Sequence, residues 1–181
     1  LIFNPEEPTM KNLFTRTFLP VLLALATLFA IAPAAQAGAL SDYLENKLID
    51  HVFRAQAYTA PVTIYVALYT SACSDSADGT EVSGGAYARV AITSGLAAWA
   101  GTQSAGSTVA SSGTGGTTSN NAAVNFATPT AGWGLVTHVG LKDALTAGNL
   151  LVCTALTVSK TINTGDTVSF PAASFTNQID N

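Results

Sequence analysis

Val62-Thr63-Ile64-Tyr65-Val66-Ala67-Leu68-Tyr69 alternates branched, aromatic and small side chains over eight residues. That alternation puts every second side chain on one face and predicts a β-strand. A loop rich in Ser, Asp and Gly follows at 71–85, then a second strand pattern at 87–93. Shorter strand patterns recur at 122–127, 135–141, 150–158, 167–170 and 174–179. Turn signals separate them: 129–134, Ala147-Gly148-Asn149 and Asn163-Thr164-Gly165-Asp166. Pro171 marks a break or an edge between the last two. The spacing predicts a mainly β protein, an antiparallel β-sandwich of jelly-roll-like type.

Upstream of the first strand, residues 41–54 predict one α-helix. Ser41 can cap it, and Asp42 and Glu45 sit in the first turn, where the helix dipole favours anions. Leu40, Leu44, Leu48 and Val52 repeat every four residues, and Ile49 and Phe53 widen the stripe. The stripe is expected to lie on a sheet. Residues 101–121 are almost all Gly, Ser, Thr, Ala and Asn. They offer little apolar surface to bury, so they read as a flexible loop, with an adaptable contact loop as the alternative.

The start of the chain has a different texture. Met10 precedes Lys11 and Arg16; residues 18–32 are apolar apart from Pro20 and Thr27; Pro33-Ala34-Ala35-Gln36-Ala37 ends the stretch in small residues. Basic start, apolar middle and small-residue exit are the parts of an export signal. The 15-residue apolar core is shorter than the roughly 20 residues a membrane span needs. The organisation expected is therefore an upstream extension at 1–9, a cleaved signal peptide at 10–37 and a single domain at 38–181. The protein would be exported to the periplasm or beyond, with no membrane span after cleavage.

Beyond residue 37 there are nine acidic residues (42, 45, 50, 75, 78, 81, 143, 166, 180) and five basic ones (47, 54, 89, 142, 160). The balance of −4 does not attract a phosphate backbone, so nucleic acid is not an expected partner. Cys73 and Cys153 are the two cysteines. An exported protein can join them in a disulfide; two buried free thiols are the alternative.

Chemistry-bearing motifs are scarce. There is no Gly-x-Ser-x-Gly elbow, no His-Glu-x-x-His and no phosphate-cradling glycine loop. His51 reads as a helix-surface residue and His138 as a strand residue. The acidic loop 73–81 lacks the alternating ligands of a calcium loop and reads as a solvated turn. Trp99 and Trp133 read as core or sheet-covering side chains, with carbohydrate stacking as the alternative. No catalytic residue, cofactor or metal is expected.

Four stretches in one order carry a family resemblance. They are Leu40-Ser41-Asp42-Tyr43-Leu44-Glu45-Asn46-Lys47-Leu48 with Asp50-His51; Tyr58-Thr59-Ala60-Pro61 with Ile64-Tyr65-Val66-Ala67-Leu68-Tyr69-Thr70; Glu81-Val82-Ser83-Gly84-Gly85-Ala86-Tyr87-Ala88-Arg89-Val90; and Trp133-Gly134 through His138-Val139-Gly140, then Gly148-Asn149-Leu150-Leu151. Together they resemble the small structural proteins of tailed bacteriophages labelled tail-fibre-like. The resemblance runs from Leu40 to about Phe175. It implies a β-sandwich with an N-terminal helix and a non-enzymatic virion component at the tail or particle surface. The partners implied are other structural subunits, a homo-oligomer, and a cell-surface receptor or glycan. The alternative, prompted by the leader, is an exported bacterial adhesin or fibre subunit on the same sandwich; a secreted enzyme is the remote one.

Overall fold

The computed structural model describes residues 39–179. The extension and signal-peptide readings at 1–9 and 10–37 lie outside the described residues. Element order is β1 (Ala39–Leu40), α1 (Asp42–Phe53), β2 (Thr63–Tyr69), β3 (Val90–Thr93), β4 (Thr117–Ser119), β5 (Val124–Asn125), β6 (Gly134–Lys142), β7 (Leu150–Ile162), β8 (Ser169–Phe170) and β9 (Thr176–Gln178). The strands form a five-stranded sheet in the order β1-β7-β6-β2-β3 and two small ladders, β4-β9 and β5-β8. Every pairing is antiparallel. The fold is mainly β with one helix, as the alternation predicts.

Register explains the two faces of the large sheet. Val66 lies opposite Leu141 and Leu68 opposite Val139, and Leu141 lies opposite Val152. These side chains share one face and join a core completed by Val124, Phe126, Trp133, Val168 and Phe175 from the small ladders and their connections. The ladders thus cover the apolar face as a second, lopsided layer. Tyr87, Phe126 and Trp133 meet there, with Tyr87 edge-on to Trp133 at a centroid distance of 5.3 Å. The Trp133 indole N–H donates to Gly85 O at 3.0 Å.

The opposite face carries Tyr69, Gly140, Lys142 and Cys153. The Tyr69 ring lies against Gly140, where a Cβ would come within 2.6 Å of the ring and 3.0 Å of Leu150. Glycine is required because the aromatic occupies the space above it.

Several local expectations shift. The strand at 87–93 begins only at Val90, that at 122–127 shrinks to Val124–Asn125, and that at 150–158 extends to Ile162. Residues 101–121 are not loop throughout: Thr117–Ser119 pairs with β9, and Ser119 and Asn120 are buried. Asn120 explains why. Its amide donates to Ala122 O at 2.8 Å and Pro171 O at 2.9 Å, and its oxygen accepts from Phe175 N at 2.8 Å. One small polar residue ties together segments whose own patterns are weak.

The helix forms where expected, capped by Ser41, whose hydroxyl accepts from Leu44 N at 3.3 Å. The same hydroxyl donates to Leu150 O, and Ser41 N donates to Leu151 O at 2.9 Å. The apolar stripe, however, does not lie flat on the sheet. Tyr43 and Leu44 pack against the core, whereas Ile49, Val52 and Phe53 are 50%, 66% and 81% exposed. The helix is pinned at its start, and its last turns carry the stripe into solvent.

Replacing Gly140 by Val should destabilise the domain by about 2 kcal/mol through overpacking against Tyr69. Chemical denaturation of Gly140→Val, Tyr69→Ala and the double variant checks this. The double variant should lose less than the sum of the singles, because removing the ring opens the space.

Candidate functional site

The polar side chains of the described chain concentrate on the face away from the apolar core. The loop after β2 folds back over that face, and Glu81 bridges Tyr69 on the open edge of β2. The turn brings Asp78 above the sheet. Lys142, 1% exposed, meets it with Nζ 2.6 Å from Oδ2. The Tyr69 hydroxyl donates to the other carboxylate oxygen at 2.9 Å. Burial, then the hydrogen bond to Asp78, push the Tyr69 phenol well above its ordinary range.

A second cluster lies beside the first. Arg89 grips Glu81 with two hydrogen bonds, Nε to Oε1 at 2.8 Å and Nη2 to Oε2 at 2.7 Å. The remaining amino group donates to the carbonyls of Ala144 and Ala147 at 2.7 and 2.8 Å, holding the β6–β7 turn. Tyr87 donates to Glu81 at 2.9 Å and accepts from Leu68 N at 2.9 Å. Burial works to raise the Glu81 pKa, but the hydrogen bonds from Arg89 and Tyr87 outweigh it and hold the carboxyl below the usual range. Burial dominates at Tyr87 and raises its phenol.

Cys73 and Cys153 are joined by a disulfide, with Cα atoms 6.1 Å apart and a sequence separation of 80. The bond anchors the start of the loop to β7 near β1, since Cys153 lies opposite Ala39.

The singled-out residues do not converge. His51 is exposed on α1 and accepts from Tyr58 N at 3.3 Å. His138 sits in β6, half-buried, with Nδ1 2.9 Å from the Thr137 hydroxyl. Trp133 is in the core, and Trp99 is half-buried against it with its indole N–H unpartnered. The acidic loop is solvent-exposed from Ser74 to Asp78, as a solvated turn should be, but Asp78 and Glu81 also pair with Lys142 and Arg89. Both ion pairs were missed in the sequence. Their one signal is Lys142 ending the apolar run of β6, where a strand leaves no water for it.

Opposite this polar face is a cleft of about 340 Å³. Its floor includes Val139, Leu141, Val152 and Phe175, and Val158 and Lys160 stand at its rim. It opens where β7 departs from its partner: Val136 pairs with Lys160, but His138 pairs with Ala155, so the intervening residues of β7 bulge. Among the described residues no helix is long and apolar enough to cross a membrane.

The ion pairs tie loops to the sheet. The family model described as Podophage GP4 fiber I protein gp80 matches residues 39–178. The chain belongs to this family. It is a phage fibre-type protein, and the match spans almost the whole described fold. No curated protein matches the chain. The tail-fibre-like resemblance of the four stretches thus holds at the level of the family.

Because the folded-state pKa of Glu81 is depressed, its ion pair contributes stability above the unfolded glutamate pKa. That contribution is lost as pH falls through the lower folded value. Glu81→Gln should therefore flatten the acid limb of the stability curve below about pH 4.5. Denaturant midpoints measured from pH 7 to pH 2 check this. An unchanged acid limb would show that Glu81 does not carry the effect.

Proposed function

We propose that this protein is a non-enzymatic structural subunit of a phage fibre, working through contacts with other subunits or with a host surface. The family match over residues 39–178 carries the reading. The engagement of Asp78, Glu81, Lys142 and Arg89 with one another supports it, since these groups hold loops in place. A rigid sheet with stapled loops suits a part that must keep its shape outside a cell.

The disulfide favours a second reading, an exported adhesin or fibre subunit of bacterial origin. A Cys73–Cys153 bond persists where the surroundings are oxidising, and residues 10–37 have the form of an export signal. Export and a fibre role are compatible if the protein is used after it leaves the cytoplasm.

Mass spectrometry of purified particles and of the extracellular fraction separates these readings. Peptides from residues 39–179 in gradient-purified particles are expected on the virion reading. Their presence only in the extracellular fraction of cells without particles would replace it with the exported one. Recovery solely from host cytosol, with residues 10–37 attached, would sink export.

The disulfide makes its own prediction. Closing a loop of 80 residues removes unfolded-chain entropy, so the Cys73→Ser, Cys153→Ser double variant should lose about 4.5 kcal/mol of stability. Thermal unfolding with and without reductant checks it. The wild type should fall to the level of the variant on reduction, while the variant should not respond.

A further inference from the structure

We propose that Lys142 and Asp78 become joined by an intramolecular amide, formed with loss of water between the amine and the carboxyl that the fold holds together. The inference goes beyond the fibre reading and does not depend on it. It starts from a contrast between the two ion pairs on the polar face. Arg89 is satisfied: Nε and Nη2 donate to Glu81, and Nη1 donates to the carbonyls of Ala144 and Ala147. Lys142 is not. Its ammonium has three donors and is closed from water, with its side chain 2% exposed. Among the described residues one acceptor meets it, Asp78 Oδ2 at 2.6 Å. An ammonium out of water with two donors unmet is costly. An amide nitrogen has one hydrogen and no charge, and it fits the same place.

The surroundings also suit the reaction. The Tyr69 hydroxyl donates to Asp78 Oδ1 at 2.9 Å, which polarises the carboxyl and would hold the oxyanion as it forms. Tyr69 is itself fixed, because its ring lies against Gly140. Asp78 has its other side toward solvent, 47% exposed, so the water formed has a way out.

The step balances without a co-reactant. One ammonium proton passes to Oδ2 across the 2.6 Å contact, leaving amine and carboxylic acid. The nitrogen lone pair attacks Cγ, and the electron pair of the C=O bond moves onto Oδ1, facing Tyr69. A second proton passes from nitrogen to Oδ2, the Cγ–Oδ2 bond breaks, and water leaves. One ammonium and one carboxylate give one amide and one water, with nothing oxidised or reduced. Groups held in contact react at effective concentrations on the order of 10⁵ M or more, which favours the joined form over the separate one. The bond would complement the disulfide. Cys73 ties the start of the loop to β7, and Asp78 would tie its far part to β6, so both ends of the exposed stretch would be held covalently.

Peptide mapping of the full chain after reduction and proteolysis reads this out. The wild type should yield a branched peptide joining the segments around Asp78 and Lys142, lighter by one water than the two separate peptides. Lys142→Arg keeps a cation but should give only the separate peptides. Tyr69→Phe should form the branch more slowly, on the order of a hundredfold, followed as a time course on freshly made protein. Wild-type protein that yields only the separate peptides, even after prolonged incubation in the folded state, overturns the proposal. So does a branch that maps to other residues, or one that forms in Tyr69→Phe as fast as in the wild type. The wild-type map decides on its own, so a variant that fails to fold does not obscure the answer. A negative result leaves the fibre reading standing, since that reading is tested by finding the protein in purified particles.

Discussion

Lys142 sits at the end of a strand with its ammonium out of water, 1% exposed. A buried charge left unpaired costs several kcal/mol, so something must come to it. What comes is Asp78, 2.6 Å away, and it brings the whole loop after β2. With that loop in place Cys73 reaches Cys153, and Glu81 takes its position on the edge of β2 beside Tyr69. Glu81 in turn holds Arg89, and Arg89 holds the turn between β6 and β7 through Ala144 and Ala147. Lys142 ends the strand that enters this turn. The chain of contacts therefore closes on itself, and loosening the Asp78 contact loosens the cover of one entire face.

The two faces of the sheet are consequently held by different physics. On one side apolar side chains from every long strand pack against Phe126, Trp133 and Phe175, a contact that needs area and little direction. On the other side direction matters more than area. Tyr69 must lie flat over Gly140 for its hydroxyl to reach Asp78, and that geometry admits no side chain at Gly140. A stapled polar face keeps loops in one arrangement, which suits a part that transmits position. The apolar face can tolerate an incomplete cover, and it has one.

This contrast also explains which features were legible in the sequence. The long strands β2, β6 and β7 and the helix announce themselves by periodicity, and Ser41 marks the helix start. The two- and three-residue strands do not. β4 lies in a Gly, Ser and Thr stretch whose composition argues for a loop, and it forms because β9 pairs with it from about sixty residues away while the adjoining Asn120 bonds to Pro171 and Phe175. The same limit applies to the polar clusters. Nothing local links Asp78 to Lys142, or Arg89 to the carbonyls near Ala147; only the sheet register brings them together. The apolar stripe of α1 was legible as a pattern but not in its use. Periodicity says that a face wants burial, and it does not say whether the burial lies within the same copy.

That last point bears on how an exposed stripe survives in a protein of this kind. Ile49, Val52 and Phe53 are costly to leave in water at about 25 cal/mol per Å² of apolar surface. Shortening the link to β2 could lay the helix down on its own sheet. Residues 54–62 instead carry the chain back to β2 with the helix end left standing clear. The uncovered groove poses the same question, since Val158 remains 77% exposed at its rim. A monomeric domain has reason to remove either feature, because paired apolar surfaces invite association.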